Sequence, residues 1–190
     1  IGGDVVIKFD NANGAQVTID DVIWTAIGSN PTLTITSPTD GSELSPLETP
    51  TIEFNVDNFD ISTNATAGDG DGYIQYQVDQ DPFVNYFSTD PIVLNNLNAG
   101  SHDVTLQLVD NNGNVLSSGV SSTVNFTVNE IVDVNNIGAL RAGDEGAYYN
   151  LTQEVILTYQ QNFRGQKYIQ DATGAILIDD DNGILTENYD

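Results

Sequence analysis

Ser101–Asp110 reads SHDVTLQLVD, and Val104, Leu106 and Leu108 fall on every second residue with polar residues between them. A period of two places those three side chains on one face of an extended strand, because successive Cβ atoms of a strand point to opposite sides. Upstream, TIEFNVDNF (51–59) repeats the pattern with Ile52, Phe54 and Val56. Both runs therefore predict strands that bury one face and expose the other.

TLTITSP (32–38), GYIQYQVD (72–79), PIVL (91–94), NVLS (114–117) and TVNFTV (123–128) are further short runs rich in Val, Ile, Thr and Tyr. Asp, Asn, Gly and Pro separate them, and these are the residues that make turns. Seven short strands in about a hundred residues match the spacing of an immunoglobulin-like sandwich. Residues 30–128 are therefore expected to form one, although the sequence contains no Cys to supply an inter-sheet disulfide.

Two flanking segments are also β in pattern. Residues 1–29 carry DVVIKFD (4–10) and QVTIDDVIWTA (16–26), joined by the turn-rich NANGA, which is a hairpin signal. A lone hairpin is marginal in water, so this segment is expected to be the last hairpin of a larger domain. Residues 129–190 carry a short helix candidate at Asn135–Arg141, followed by YYNLTQEVILTYQQ (148–161), QKYIQDA (166–172) and AILIDD (175–180). Hairpin-linked strands in this order predict the first part of a small OB-type barrel, with further strands required to close it. The whole is expected to be all-β: a sandwich flanked by a partial jelly-roll hairpin and a partial OB-like barrel.

Composition narrows the function. The chain has 190 residues with 28 Asp and Glu against four Lys and Arg, a formal charge of -24. Such a charge repels polyanions at long range and argues against non-specific contact with nucleic acid or an anionic membrane. Residues 30–128 hold thirteen of the acids and none of the basic residues. With no Cys and the single His102, thiolate chemistry and His-rich metal or triad sites have no material. The longest apolar runs are about five residues, too short for a helical membrane span. His102 and Asp103 are sequence neighbours on a predicted strand, so adjacency cannot make them an acid–base dyad. No phosphate loop, zinc spacing or nucleophile elbow is present, and no catalytic residue is assigned.

The stretches TLTITSPTDGSELSP (32–46), FNVDNFDI (54–61), GDGDGYIQYQVD (68–79) and LNAGSHDVTLQLVDNNGNVL (97–116) together resemble bacterial immunoglobulin-like modules of secreted Bacteroidetes-type multidomain proteins. RAGDEGAYYNLTQEVILTYQQNFRGQKYIQDATGAILIDDDNG (141–183) resembles an OB-fold-like domain of the same proteins, and VTIDDVIW (17–24) is similar to the closing strands of jelly-roll domains. The resemblance implies an extracellular or cell-surface protein. It implies a non-catalytic structural or adhesive role, with filament assembly through open strands as one form of it. The alternatives it leaves are accessory modules of a secreted nuclease or polysaccharide-degrading enzyme, and a carbohydrate-binding module.

Three groups of residues are candidate sites. Asp57, Asp60, Asp69 and Asp71 lie in one Gly-rich loop, where short carboxylates could converge on calcium; the competing reading is a solvated loop of turn formers. Asp179–Asp181 precede Asn182–Gly183 and read first as a solvated turn, while Asp20 and Asp21 point to opposite sides of their strand. Tyr159, Phe163, Arg164, Lys167 and Tyr168 cluster at the first hairpin of the OB-like segment, where that fold places aromatic and basic residues for bases and phosphates. Trp24 is the only Trp, and its strand position suits a core more than a sugar platform.

Overall fold

The computed structural model of the chain describes residues 30–64, 68–116, 120–161 and 165–180, and the fold they form is all-β with one short helix. The hairpin expected over residues 1–29, with Asp20, Asp21 and Trp24, lies outside the described residues.

Residues 30–128 build two facing sheets. The first contains β1 (Thr32–Ser37), β3 (Thr51–Asp57) and β6 (Ile92–Val93), antiparallel in the order β1-β3-β6. The second contains β2 (Ser42–Leu44), β4 (Gly72–Val78), β5 (Val84–Tyr86), β7 (Gly100–Asp110) and β8 (Ser121–Val128), in the order β2-β8-β7-β4-β5. The chain thus changes sheet after β1, turning through Pro38 and Gly41, whose φ of +76° suits glycine. β2 then lies parallel to the last strand, with Ser42 opposite Phe126 and Leu44 opposite Val128. A first strand split between two sheets, with its second half on the last strand, is immunoglobulin-like order.

The alternating residues meet between the sheets. Ile52 from the first sheet packs with Ile74, Val104, Leu106, Leu108, Val124 and Phe126 from the second, and Leu33, Ile92 and Leu94 complete the cluster. Ile52, Ile74, Val104, Leu106 and Leu108 are fully buried. Phe54 and Val56 pack on the margin of the core. Gly72 closes one corner: it pairs with Asp110, and a Cβ there would collide with the Val109 carbonyl oxygen.

Three details differ from the sequence reading. β2 and β5 are strands that alternation did not mark, since each is three residues long and held by its neighbour's ladder. Among the described residues of NVLS, Val115 forms an isolated bridge to Val109. YYNLTQEVILTYQQ is not one strand but two.

The last of these differences shapes residues 131–180. β9 (Ile131–Val134) leads into α1 (Ile137–Arg141) and then β10 (Tyr148–Leu151), which returns parallel to β9. Thr152 ends that ladder by donating its N–H and its hydroxyl to the Val134 carbonyl, 2.8 and 3.2 Å away. The chain resumes as β11 (Ile156–Gln160), which pairs instead with β12 (Gln166–Asp171), and β12 pairs with β13 (Gly174–Asp179) in an antiparallel meander. Neither Gly nor Pro marks the break.

Candidate functional site

The acidic loop after β3 is organised by its own backbone. Asp69 accepts from the Thr63 N–H at 3.0 Å and the Thr63 hydroxyl at 2.7 Å, and Asp71 accepts from the Asp60 N–H at 3.0 Å. Asp57 sits apart, accepting from the Thr32 hydroxyl across the sheet at 3.3 Å. The Thr63 hydroxyl, then the Thr63 N–H, holds the Asp69 carboxyl below the usual carboxylate range. Ser62, fully buried, donates to Asn111 at 2.7 Å, and Asn111 in turn donates to the Gly70 carbonyl at 2.8 Å, which ties the loop to the end of β7. Asp69 and Asp71 are thus placed on donors of the loop itself, and Asp57 on the neighbouring strand. Among the described residues no three His, Asp or Glu side chains are grouped to hold a metal. A loop dense in N–H groups offers Asp69 and Asp71 near backbone partners.

The same use of carboxylates recurs at other turns. Asp40 accepts from the Asn125 backbone N–H at 2.9 Å and the Asn125 side chain at 3.1 Å, and those bonds hold it low. Asp110 takes the Asn112 and Asn114 N–H groups at 2.8 and 2.9 Å in the turn after β7. Asp171 does the most: its carboxylate accepts from the Thr173 hydroxyl at 2.6 Å, the Thr173 and Gly174 N–H groups at 2.7 and 3.0 Å, and the Ile137 N–H at 2.7 Å. Led by the Thr173 hydroxyl, these bonds hold its carboxyl at about 2. One side chain thereby closes the β12–β13 turn and fastens the start of α1 to it, while Asn136 caps the same helix by accepting from Ala139 N–H at 2.7 Å.

The hairpin proposed for nucleic acid is rearranged by burial. Lys167 is 5% exposed, and its Nζ lies 2.7 Å from Oδ2 of Asp180, which is equally enclosed. An ammonium fixed beneath the meander cannot reach a phosphate, so Lys167 is withdrawn as a phosphate contact. Its alternation with Tyr168 in β12 is the reason: neighbouring residues face opposite sides, and Lys167 took the inner one. Tyr159 and Tyr168 are opposite each other on β11 and β12, both open to solvent, with ring centroids 5.7 Å apart and edge-to-face. Phe163 and Arg164, like Asp181, lie outside the described residues.

One polar constellation escaped the sequence. His102 is 9% exposed, and its Nδ1 lies 2.9 Å from Oδ2 of Asp79 while its Nε2 lies 2.8 Å from the Asn98 carbonyl. The other Asp79 oxygen accepts from the Asp103 N–H at 2.9 Å. Adjacency to Asp103 was uninformative; the signal lay in the pairing of Val78 with Val104, which brings the end of β4 beside the start of β7. Burial works against ionising Asp79, yet the Asp103 N–H and then His102 hold its carboxyl low. Grooves among the described residues include one of 280 Å³ beside Pro38 and Pro50, one of 400 Å³ between β5 and β6, and one of 360 Å³ at Thr158, Tyr159 and Tyr168.

No protein-family model and no curated protein matches the chain. Partial likenesses to solved structures exist. An engineered protein is 13% identical over 54% of this chain and 21% of its own, with a TM-score of 0.37. The endo-β-1,4-mannanase from Thermotoga petrophila is 13% identical over 53% of this chain and 20% of its own, with a TM-score of 0.35. The extracellular domain of a one component system from B. thetaiotaomicron is 13% identical over 48% of this chain and 12% of its own, with a TM-score of 0.34. The chain thus spans about a fifth or less of each of these proteins.

Proposed function

We propose that this chain is a non-catalytic structural segment of a secreted surface protein, and that its sandwich transmits tension between its neighbours. The observation that carries the reading is the clasp between the entry and exit strands. β2 runs parallel to β8 over Ser42–Leu44, and the clasp is extended by Gly41 N–H to the Asn125 carbonyl at 2.7 Å and Asn129 N–H to the Leu44 carbonyl at 3.0 Å. The Asp40 carboxylate adds its bonds to Asn125 at the same end. When two parallel strands are pulled from opposite ends, their cross-strand bonds lie across the force and share it. They must then fail together, whereas an opened hairpin loses one bond at a time. A stalk or filament module needs that property and an enzyme does not.

The distribution of polar groups agrees with this role. The turn carboxylates described above are each committed to a backbone N–H, and catalysis needs a titratable group free to meet a substrate. In this reading residues 1–29 and 129–190 belong to a jelly-roll-like and an OB-like neighbour, and self-association through their strands is the route to a filament. The exposed Tyr159–Tyr168 pair favours a second reading, an accessory module that stacks a sugar or a base on those rings. The test is incubation of the purified chain with polysaccharide and nucleic-acid panels, scored for both cleavage and retention. A structural segment gives neither. Cleavage by the chain overturns the proposal, and retention abolished by Tyr159→Ala replaces it with the accessory reading.

A further inference from the structure

The geometry around His102 assigns it a role beyond packing. A backbone carbonyl can only accept a hydrogen bond, and so can an ionised carboxylate. Nε2 faces the Asn98 carbonyl at 2.8 Å and Nδ1 faces the Asp79 carboxylate at 2.9 Å. A neutral imidazole owns one N–H, so it would leave a lone pair pressed against one of the two oxygens. Only the doubly protonated ring satisfies both.

The ring's setting decides what that proton holds. Asp79 follows β4 with a left-handed φ of 51°, and Asn96 takes φ 63° in the turn that precedes β7. Such backbone is unfavourable for a side-chain-bearing residue, though Asp and Asn tolerate it best. His102 bridges these two corners from β7, with Phe126 of β8 beside its ring at 5.9 Å. Among the described residues, Asp79 from the β4 corner meets the ring directly, and the charge of Asp103, on the other face of the same strand, acts on it from a distance. Asn95, Asn96 and Leu97 of the bridged turn line the 400 Å³ groove between β5 and β6.

We propose that His102 is an imidazolium at neutral pH and acts as an alkali-released latch that fixes the Asn95–Asn98 turn to the end of β4. Loss of either proton breaks one of the two bonds, and the turn and the groove wall it forms are set free. Burial lowers the affinity of the ring for the proton, but the Asn98 carbonyl, the Asp79 carboxylate and the charges of Asp79 and Asp103 together raise it above the usual imidazole value. For a group whose folded pKa is raised, the stabilisation is complete below about 6.5, the unfolded value, and disappears as the pH rises through the folded one.

Because the chain has one His, its ring resonances need no assignment. The test is a pH titration of the ring nitrogens by NMR on the full chain, together with protection factors for the amides of residues 94–101. The latch predicts that both ring nitrogens carry protons at pH 7, a midpoint above about 6.5, and amide protection that falls across that same midpoint. Asp79→Asn should move the midpoint back down. A neutral tautomer at pH 7, or protection that ignores the midpoint, overturns the proposal. Should Asp79→Asn fail to fold, the titration of the unmodified chain decides alone.

Discussion

Truncating Leu106 to Ala tests whether the sandwich core is the one described. Leu106 is fully buried in the middle of β7, where it packs with the core of both sheets. Leu→Ala at such a site removes transfer free energy and leaves a cavity, at a cost of about 2–5 kcal/mol. Taking about 3 kcal/mol, a domain of this size should lose roughly 12–24 °C in melting temperature, at about 4–8 °C per kcal/mol. In urea the same loss, divided by a slope of about 1–3 kcal/mol/M, lowers the midpoint by roughly 1–3 M. Residue-resolved NMR through a urea series separates the sandwich from residues 131–180 and reads the midpoint directly. Val93→Ala is the control, since Val93 is 52% exposed at the sheet edge and should change stability by no more than about 0.5 kcal/mol. A Leu106→Ala cost below about 1 kcal/mol, or one matched by Val93→Ala, would refute the assignment of β7 to the core.

Three further outcomes are expected. Lys167→Met should destabilise the β11–β13 meander by removing the ammonium 2.7 Å from the buried Asp180 carboxylate, and the double variant Lys167→Met with Asp180→Leu should recover part of that loss in chemical denaturation. The Asp171 carboxyl should titrate near 2 in a carbon-detected NMR series; its folded pKa is depressed, so its contribution is intact above about 3.8 and is lost as pH falls toward 2, with α1 amides losing protection in the same range. Millimolar calcium should leave the melting temperature where a chelator leaves it, because Asp69 and Asp71 are engaged by the Thr63 and Asp60 backbone; a calcium-dependent rise of several degrees would contradict that loop geometry.

The sandwich was legible because period-two alternation is a direct consequence of strand geometry. Ile52, Val104, Leu106 and Leu108 could be placed on a core face from spacing alone, and the structure buries all four. β2 and β5 were illegible since three residues carry no period, and their existence depends on the partner strand. The helix expected over Asn135–Arg141 is α1, which begins at Ile137 behind the Asn136 cap. The split of residues 148–160 was hidden, because a change of pairing partner leaves alternation untouched. Site residues fared differently. Clustering of like charges in sequence suggested a cation, but the competing donors are backbone N–H groups that composition does not display. Lys167 looked like surface charge until strand parity placed it inward. His102 and Asp79 lie 23 residues apart and meet only through the β4–β7 register.

The β2–β8 clasp carries the proposed role, and mechanical unfolding of single molecules tests it. The chain has no native Cys, so paired Cys handles can be introduced without interference. Handles at Asn30→Cys and Asn129→Cys pull the parallel strands from opposite ends, while Ser45→Cys and Asn129→Cys pull them from the same end and peel the clasp bond by bond. The account predicts a rupture force several-fold higher in the first geometry, with the Asp40→Ala variant lowering it. Equal forces in the two geometries would contradict a sandwich built to transmit tension.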